Sequence, residues 1–530
     1  MTAVENNLLL VISVLFSIYV WINRAKFKLI WQINGARGIF QQPLLFILMC
    51  FMLDPKRLLE TLRYLRKYFK RPLAFLFGSQ SVLYVDDPVM MERVLNSPEC
   101  LDKTFLQDGF FVRKGLLHAK GQQWKIRRKQ LNPTFSYGVL MSFFPTFNSV
   151  ANSLHSKFSD YLGLQEFNEI EDIISRAVLV TACQTTMGTE TNFLENDEHE
   201  IAQTYKKLLR ISSIKTIKPW LQIDFLFRMT KLYNTDIELN KMAADFVKDI
   251  VSRKHNEWKK MNVLNTSSRS TSRIKIPSTT EVEGTSWEEV EVEVEDTQRK
   301  KRNFIEQIFH LAENGEITLQ DIMDECNSMV LVAFETVSNS ILLALLCLAM
   351  YPETQKKLRQ ELHSTFPNGD VSSISGDNLK DMKFLDMVIN ESLRLVTTIP
   401  MALRGVSKDF VLKDDIVIPK GTFIILDTFN MQRDSALWGP FAQEFYPEHF
   451  LPENVAKRHP YTYVPFMKGL RFCIGWRYSL MLTKVIIAKL IHSYSFETET
   501  KLKDLKFIEG ISLKIRDCDK IKFTVSRVRN

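Results

Sequence analysis

The chain has 530 residues, 45% of them hydrophobic and 25% charged, which excludes a disordered or fibrous polymer and leaves a folded protein with a large core. Its 69 basic and 61 acidic residues give a formal charge of +8, too mild an excess to point to nucleic acid and suited to an anionic membrane surface or an acidic protein partner. Seven scattered cysteines (Cys50, Cys100, Cys183, Cys326, Cys347, Cys473 and Cys518), with no CxxC spacing, exclude a disulfide framework and a cysteine zinc site, and fit a reducing compartment.

Residues 8–22, LLLVISVLFSIYVWI, are apolar apart from Ser13, Ser17, Tyr19 and Trp21, and Arg24, Lys26 and Lys28 follow at once. A signal peptide would carry its charge before the apolar run and end in a small-residue cleavage site. Residues 1–28 are therefore expected to be a membrane anchor, whose basic flank holds residues 29–530 on the cytosolic side. A second apolar stretch, PLLFILMCFML at 43–53, is too short to span alone and either packs on the protein or dips into the interface.

Up to about residue 260 the apolar spacing is helical, interrupted near 74–84 by LAFLFGSQSVLY, which reads as a β-hairpin. Between 261 and 301 serine, threonine and glutamate replace the apolar residues, so a disordered surface insertion is expected there. A long helix is expected over about 319–350, capped by Thr318 and Asp321 and stopped at Tyr351-Pro352. It is so apolar from 329 onward that it must be buried nearly all round or cross a membrane, and Glu335 and Asn339 inside it argue for burial around a site. A further helix spans about 381–396. Beyond it, DFVLKDDIVIPKGTFIILD alternates and turns like a pair of strands.

The strongest chemical signal is PFMKGLRFCIG at 465–475, with Phe466, Gly469, Arg471, Cys473 and Gly475. This five-point pattern arises by chance with odds on the order of 10⁻⁴, which sets aside a plain buried structural cysteine. Glycines let the backbone turn tightly against a flat ring, and the loop amides can stabilise a thiolate. Arg471 offers a fixed charge to a carboxylate such as a haem propionate, and Phe466 can shield the sulfur.

This loop resembles the haem-binding signature of the cytochrome P450 superfamily, and the likeness runs from about Leu101 to Arg527. Glu391 and Arg394 match its E-x-x-R helix; at this spacing they share a helix face and can pair. Pro447-Glu448-His449-Phe450 stands where the family has P-E-R-F, and histidine lacks the guanidinium fork, so a weaker third contact is expected. Trp124 and Arg128 resemble the W-x-x-x-R pair that contacts a haem propionate, and Arg404 matches the arginine that reaches the other one. Ala333-Phe334-Glu335-Thr336 resembles the oxygen-activation segment, in which a carboxylate beside a hydroxyl relays protons to dioxygen. The plainer alternative is a threonine bonded back to its own turn next to a solvated glutamate. The likeness is greatest to the microsomal fatty-acid hydroxylase branch and its divergent insect relatives. Val332 stands where several members tether haem through a glutamate, so no such ester is expected.

The resemblance implies a mainly α fold with a smaller β portion near the N-terminus, and haem b between the long helix and the Cys473 loop. It implies a monooxygenase with Glu335 and Thr336 as catalytic residues, Trp124, Arg128, Arg404, Phe466, Arg471 and Cys473 as haem-binding residues, and Cys473 as the iron ligand. The expected partners are an NADPH-cytochrome reductase, with cytochrome b5 as a further candidate, and the endoplasmic reticulum membrane. The substrate would be an apolar small molecule, fatty-acid-like, hormone-like or xenobiotic, with Phe105 to Phe111, Leu331, Val332 and Thr397 to Ile399 lining its pocket. Lys125, Arg127, Lys468 and Arg477 are candidates for a basic docking face. The alternatives are a reductase-independent haem-thiolate isomerase or dehydratase, and a non-catalytic haem-binding sensor.

Overall fold

The computed structural model describes residues 3–35, 40–52, 54, 56–69, 71–77, 80–109, 115–191, 193–195, 200–267, 302–413, 416–509 and 512–528. At the N-terminus, helix Ala3–Ile22 turns at Asn23 into helix Arg24–Asn34. Val11, Val14, Leu15, Ile18, Trp21 and Ile22 are exposed, whereas Leu29 and Ile30 are buried in a cluster with Ala74, Leu83 and Ile424. Apolar side chains thus turn from outward to inward between Ile22 and Leu29. The second apolar stretch is helix Gln42–Met52, which buries Leu45 and Met52 and leaves Leu44, Phe46 and Ile47 exposed.

The hairpin read from LAFLFGSQSVLY is present as Leu73–Phe77 against Gln80–Val85. It joins a four-stranded sheet, pairing in parallel with Phe423–Asp427, which pairs antiparallel with Met401–Gly405. The alternating segment after Pro400 makes three strands where two were expected. Phe410–Lys413 and Ile416–Ile418 form a small hairpin of their own, and Phe423–Asp427 leaves it for the main sheet. The fold is mainly α with a smaller β portion, yet that portion draws on both ends of the chain. Gly163–Glu166, Lys522–Arg527 and Tyr494–Glu497 make a second sheet, and Phe507–Glu509 and Leu513–Ile515 a C-terminal hairpin.

Helix Leu232–Ser267 extends seven residues into the segment read as an insertion; residues 268–301 lie outside the described ones. The central helix, Leu319–Met350, starts at the expected capping box, in which the Asp321 N–H donates to Thr318 Oγ1 (3.1 Å) and the Thr318 N–H to Asp321 Oδ2 (2.8 Å). It is long and apolar enough to cross a membrane but is mostly buried in the protein, with helix Phe167–Met187 packed along it.

Helix Lys383–Leu395 carries the Glu391–Arg394 pair, both side chains fully enclosed. Arg394 donates from Nε and Nη2 to the two Glu391 oxygens (2.7 Å each) and its remaining N–H groups reach the carbonyls of Gln432, Ala442 and Glu444 (2.7, 2.8 and 3.0 Å). One buried guanidinium therefore fixes the chain from 432 to 444. Gln432 Oε1 accepts from the Val464 N–H (2.9 Å), which carries the constraint to the start of the Cys473 loop.

Candidate active site

The Cys473 loop is built from two left-handed residues and a helix start. Met467 has φ 57° and Gly469 φ 72°; a Cβ on Gly469 would lie 2.2 Å from the Leu95 carbonyl oxygen, so only glycine fits there. The Cys473 N–H donates to Phe466 O (3.0 Å), and Gly475 caps helix Trp476–Ser493. Cys473 thus stands just before a helix N-terminus, where the backbone dipole favours an anion. Burial pushes its thiol up, opposed by the Gly475 N–H and by Arg128. Phe466 is half-buried against the main core.

Trp124 and Arg128 lie on helix Gly121–Leu131. Arg128 Nη1 donates to Phe472 O (2.9 Å), and its guanidinium lies 4.6 Å from the Phe472 ring. Arg471 lies 5.2 Å from the Trp124 ring and donates to the carbonyls of Leu101, Leu117 and Ala119 (3.0, 3.1 and 2.8 Å). The structure therefore brings Trp124, Arg128, Arg471 and Cys473 together. Arg404 is buried, with Leu403 O as its hydrogen-bond acceptor (3.0 Å).

Two members of this group went unseen in the sequence, Lys103 and His118. The Gly405 N–H donates to Asp102 O (2.8 Å) and Arg471 to Leu101 O (3.0 Å), which wedges the 101–103 segment between the Arg404 strand and the Cys473 loop. Burial, Arg471 and Arg404 press Lys103 well below its ordinary value. Burial, with Lys103 and Arg471, takes His118 down to about 3. Burial takes Arg404 to about 10, and burial with Arg404 nearby takes Arg471 to about 9. No ion pair engages Lys103, Arg404 or Arg471 among the described residues; Asp102, the acid felt by Arg471, already accepts the Gly121 N–H at 2.6 Å. A buried arginine and two half-buried cations without ion-pair partners call for an external anion, and the two propionates of haem fit that demand.

Between Ser328 and Ala349 the central helix is fully buried except at Met329, Val332, Ala333 and Thr336, which are half-buried. Spacings of three, four and seven put them on one face. Thr336 belongs to this stripe and donates to Val332 O (2.8 Å), the back-bonded geometry of the plainer alternative. Glu335 does not belong to it. Its carboxylate is buried, not solvated, with Lys514 Nζ 2.9 Å from Oε1 and the Ser512 hydroxyl donating to the same oxygen. Leu331 is also buried off the stripe, at 1% exposure, as are Thr397 and Thr398; Phe110 and Phe111 lie outside the described residues. No motif marks Lys514 or Ser512, and only their positions in the fold reveal them.

Two of the proposed docking cations are already engaged. Arg127 pairs with buried Glu325 (3.0 Å) and with Asp321 (3.7 Å), and Lys468 donates to Pro460 O (2.8 Å). Lys125 and Arg477 are exposed.

The family model described as Cytochrome P450 matches residues 40–519. The chain is 45% identical to a Drosophila melanogaster protein named probable cytochrome P450 318a1, over 95% of each chain. It is 32% identical to probable cytochrome P450 313b1 of the same organism, over 94% of this chain and 95% of that one. It is 30% identical to cytochrome P450 4c21 of Blattella germanica, over 84% and 83%. With the mainly α fold, the glycine-bound cysteine loop and the cations without ion pairs beside it, these matches place the chain in the cytochrome P450 family of haem-dependent monooxygenases, as an insect-type member.

Proposed function

We propose that this enzyme holds haem b through Cys473 and hydroxylates an apolar small molecule, taking electrons from NADPH through a membrane-bound reductase. The observation that carries the reading is a cysteine just before a helix N-terminus, beside the buried Arg404 and the half-buried Lys103 and Arg471, which no ion pair engages among the described residues. Trp124, Arg128, Arg404 and Arg471, joined by Lys103, would hold the propionates, and Phe466 would pack beside the sulfur. Haem, when bound, supplies the activation of dioxygen and the transfer of one oxygen atom to the substrate, the second leaving as water.

The protein's own part is to line the space beside the half-buried stripe of the central helix and to manage protons there. Met329, Val332 and Ala333 present an apolar wall, which favours an apolar substrate and excludes water. The Thr336 hydroxyl donates its proton to Val332 O, leaving its oxygen as an acceptor toward that space. Lys125 and Arg477 are the exposed cations suited to an acidic reductase, with cytochrome b5 as a further partner of the same charge. The exposed apolar N-terminal helix supports attachment to the endoplasmic reticulum membrane.

The test is the carbon monoxide difference spectrum of the reduced protein. The wild type and Cys183→Ala should give the red-shifted band of thiolate-ligated iron, and Cys473→Ala should lose it together with turnover. A Cys473→Ala protein that retains the band refutes the assignment. Because Val332 offers no ester, acidified organic solvent should extract the haem fully. Consumption of NADPH by the reconstituted enzyme separates this reading from a reductase-independent isomerase or a sensor.

A further inference from the structure

The face of the central helix that carries Met329, Val332 and Thr336 continues N-terminally to Glu325, one helical turn before Met329. The Glu325 side chain is 1% exposed and meets the chain that leads into helix Gly121–Leu131. Its Oε2 accepts the Leu116 N–H (3.0 Å), and its Oε1 lies 3.0 Å from Arg127 Nε. Gly115 approaches the carboxylate as closely. With φ 82°, a Cβ there would lie 3.0 Å from Glu325 Oε2 and 3.3 Å from Ser328 Oγ, so the contact depends on glycine.

The turn that follows is held from the opposite side. The His118 and Ala119 N–H groups donate to Gly115 O (3.1 and 2.9 Å), and Arg471 donates to the carbonyls of Leu117 and Ala119. Residues 115–119 therefore bridge the central helix, at Glu325, and the Cys473 loop, at Arg471. Helix Gly121–Leu131 has other ties, since Gln130 Nε2 donates to Glu316 Oε2 (2.8 Å) and Gln307 Nε2 to Gln130 O (3.2 Å). Burial pushes the Glu325 carboxyl up; the Leu116 N–H and Arg127 oppose it, while Asp321 and Asp324 add to the upward push. An enclosed ion pair adds little net stability over apolar residues of the same size. What this one supplies is a fixed position for the Leu116 N–H.

We propose that Glu325 is a positioning residue that sets the size of ligand this enzyme admits, by fixing the 115–119 turn as a side wall between the central helix and the Cys473 loop. The proposal rests on the haem-thiolate reading for the identity of the space that this wall bounds. Leu116, the residue tied to the carboxylate, is 8% exposed and packs in the main core, so the wall is firm while the bond holds. Without the bond the turn keeps only its Arg471 end. It then yields to a bulky apolar ligand, whereas a small one that never reaches it gains nothing. Glu325 thus acts on discrimination between compact and bulky molecules.

A contact that merely stabilised the fold would, when lost, weaken all ligands together, so the test reads a ratio. Imidazole and the bulky 1-tritylimidazole, which bind iron through the same type of nitrogen, are titrated into the holoenzyme and followed by the shift of the haem absorption band. The Glu325→Leu/Arg127→Met double variant removes both charges and strands neither. Relative to wild type it should favour 1-tritylimidazole over imidazole on the order of ten-fold, the worth of one hydrogen bond to a charged group. Gly115→Ala crowds the same contact from the other side and should move the ratio the same way. Glu325→Gln keeps an oxygen for the Leu116 N–H and should stay within about three-fold of wild type. A change below about three-fold in the double variant or in Gly115→Ala, a change toward imidazole, or a Glu325→Gln ratio as far from wild type as the double variant's overturns the proposal. Hydrogen exchange at the Leu116 amide, measured on the same proteins, should be slow in wild type and Glu325→Gln and fast in the double variant. A wild type whose reduced carbon monoxide complex lacks the thiolate band overturns the haem-thiolate reading instead, and the amide exchange still decides whether Glu325 holds the turn.

Discussion

Glu391 Oε1 receives donors from three directions, Arg394 Nη2 at 2.7 Å, the Tyr446 N–H at 2.8 Å and His449 Nδ1 at 3.1 Å. His449 Nε2 faces Trp438 O at 3.1 Å, so a ring carrying both protons donates to both oxygens and a neutral ring to only one. The histidine that the sequence marks as a weakened third contact is thus well seated. Its cage is made by the rings of Trp438 and Tyr446, edge-on at 5.5 and 5.1 Å, and Trp438 belongs to no motif that would have announced it. Magnitudes rank the partners. Arg394→Met strands a fully buried carboxylate and should cost about 3–5 kcal/mol, whereas His449→Phe leaves Glu391 paired and should cost about 1–2 kcal/mol. Denaturant unfolding of the two variants checks the order, and equal losses would contradict it. At Gly469 the left-handed backbone and the nearby Leu95 carbonyl leave no room for a methyl group. Gly469→Ala should strain the loop by at least about 1–3 kcal/mol and lower the fraction of purified protein that shows the thiolate band.

The C-terminal hairpin makes the central helix sensitive to acid. Because burial of the Glu335 carboxyl is outweighed by Lys514, the Ser512 hydroxyl and Lys206, which hold it below its ordinary range, the stabilisation from its pairing is complete above the unfolded carboxylate pKa and fades as pH falls through the lower folded one. Lys514→Met should therefore destabilise the protein by about 1–3 kcal/mol near neutrality, less than a fully enclosed pair because Lys514 is partly in solvent, and by less in acid. Melting temperatures across pH test this, and a loss that grows in acid would reverse the argument. The ends of the central helix were legible, since Thr318, Asp321 and Tyr351-Pro352 are local signals acting within one turn. The hairpin at 73–85 and the helix at 383–395 were legible for the same reason. Three features were not. Alternation marks strands but not their partners, so the third strand after Pro400 stayed hidden. The polar end of helix Leu232–Ser267 has no apolar stripe to read. The partners of Glu335 come from the other end of the chain, where a serine and a lysine follow no pattern.

At the scale of the molecule, three of the described segments carry several exposed apolar side chains each. These are the N-terminal helix, helix Gln42–Met52, and residues 220–229, where Trp220, Ile223, Phe225 and Met229 are exposed, Phe225 at 70%. Removal of residues 1–28 should abolish carbonate-resistant membrane attachment yet leave reversible binding to lipid vesicles. Phe225→Ser in the truncated protein should weaken that residual binding about ten-fold or more, given roughly 1.5–3 kcal/mol for a buried phenylalanine. Vesicle co-sedimentation measures both effects. A truncated protein that never sediments would show that the other two segments do not bind lipid.

The cluster of Lys103, Arg404 and Arg471 also bears on how the protein matures in the cell. A polypeptide that gathers a buried arginine and two half-buried cations with no ion pair among them is frustrated until something else supplies the negative charge, so final packing and cofactor capture become a single event. A cell short of haem should then accumulate a protease-sensitive chain instead of a stable apoprotein. A ligand at a thousand times its dissociation constant adds about 4 kcal/mol to stability. A pulse-chase measurement should therefore find the lifetime of the chain following haem supply, and Arg404→Leu, which relieves part of the repulsion, should lengthen the survival of the haem-free form while shortening that of the loaded one.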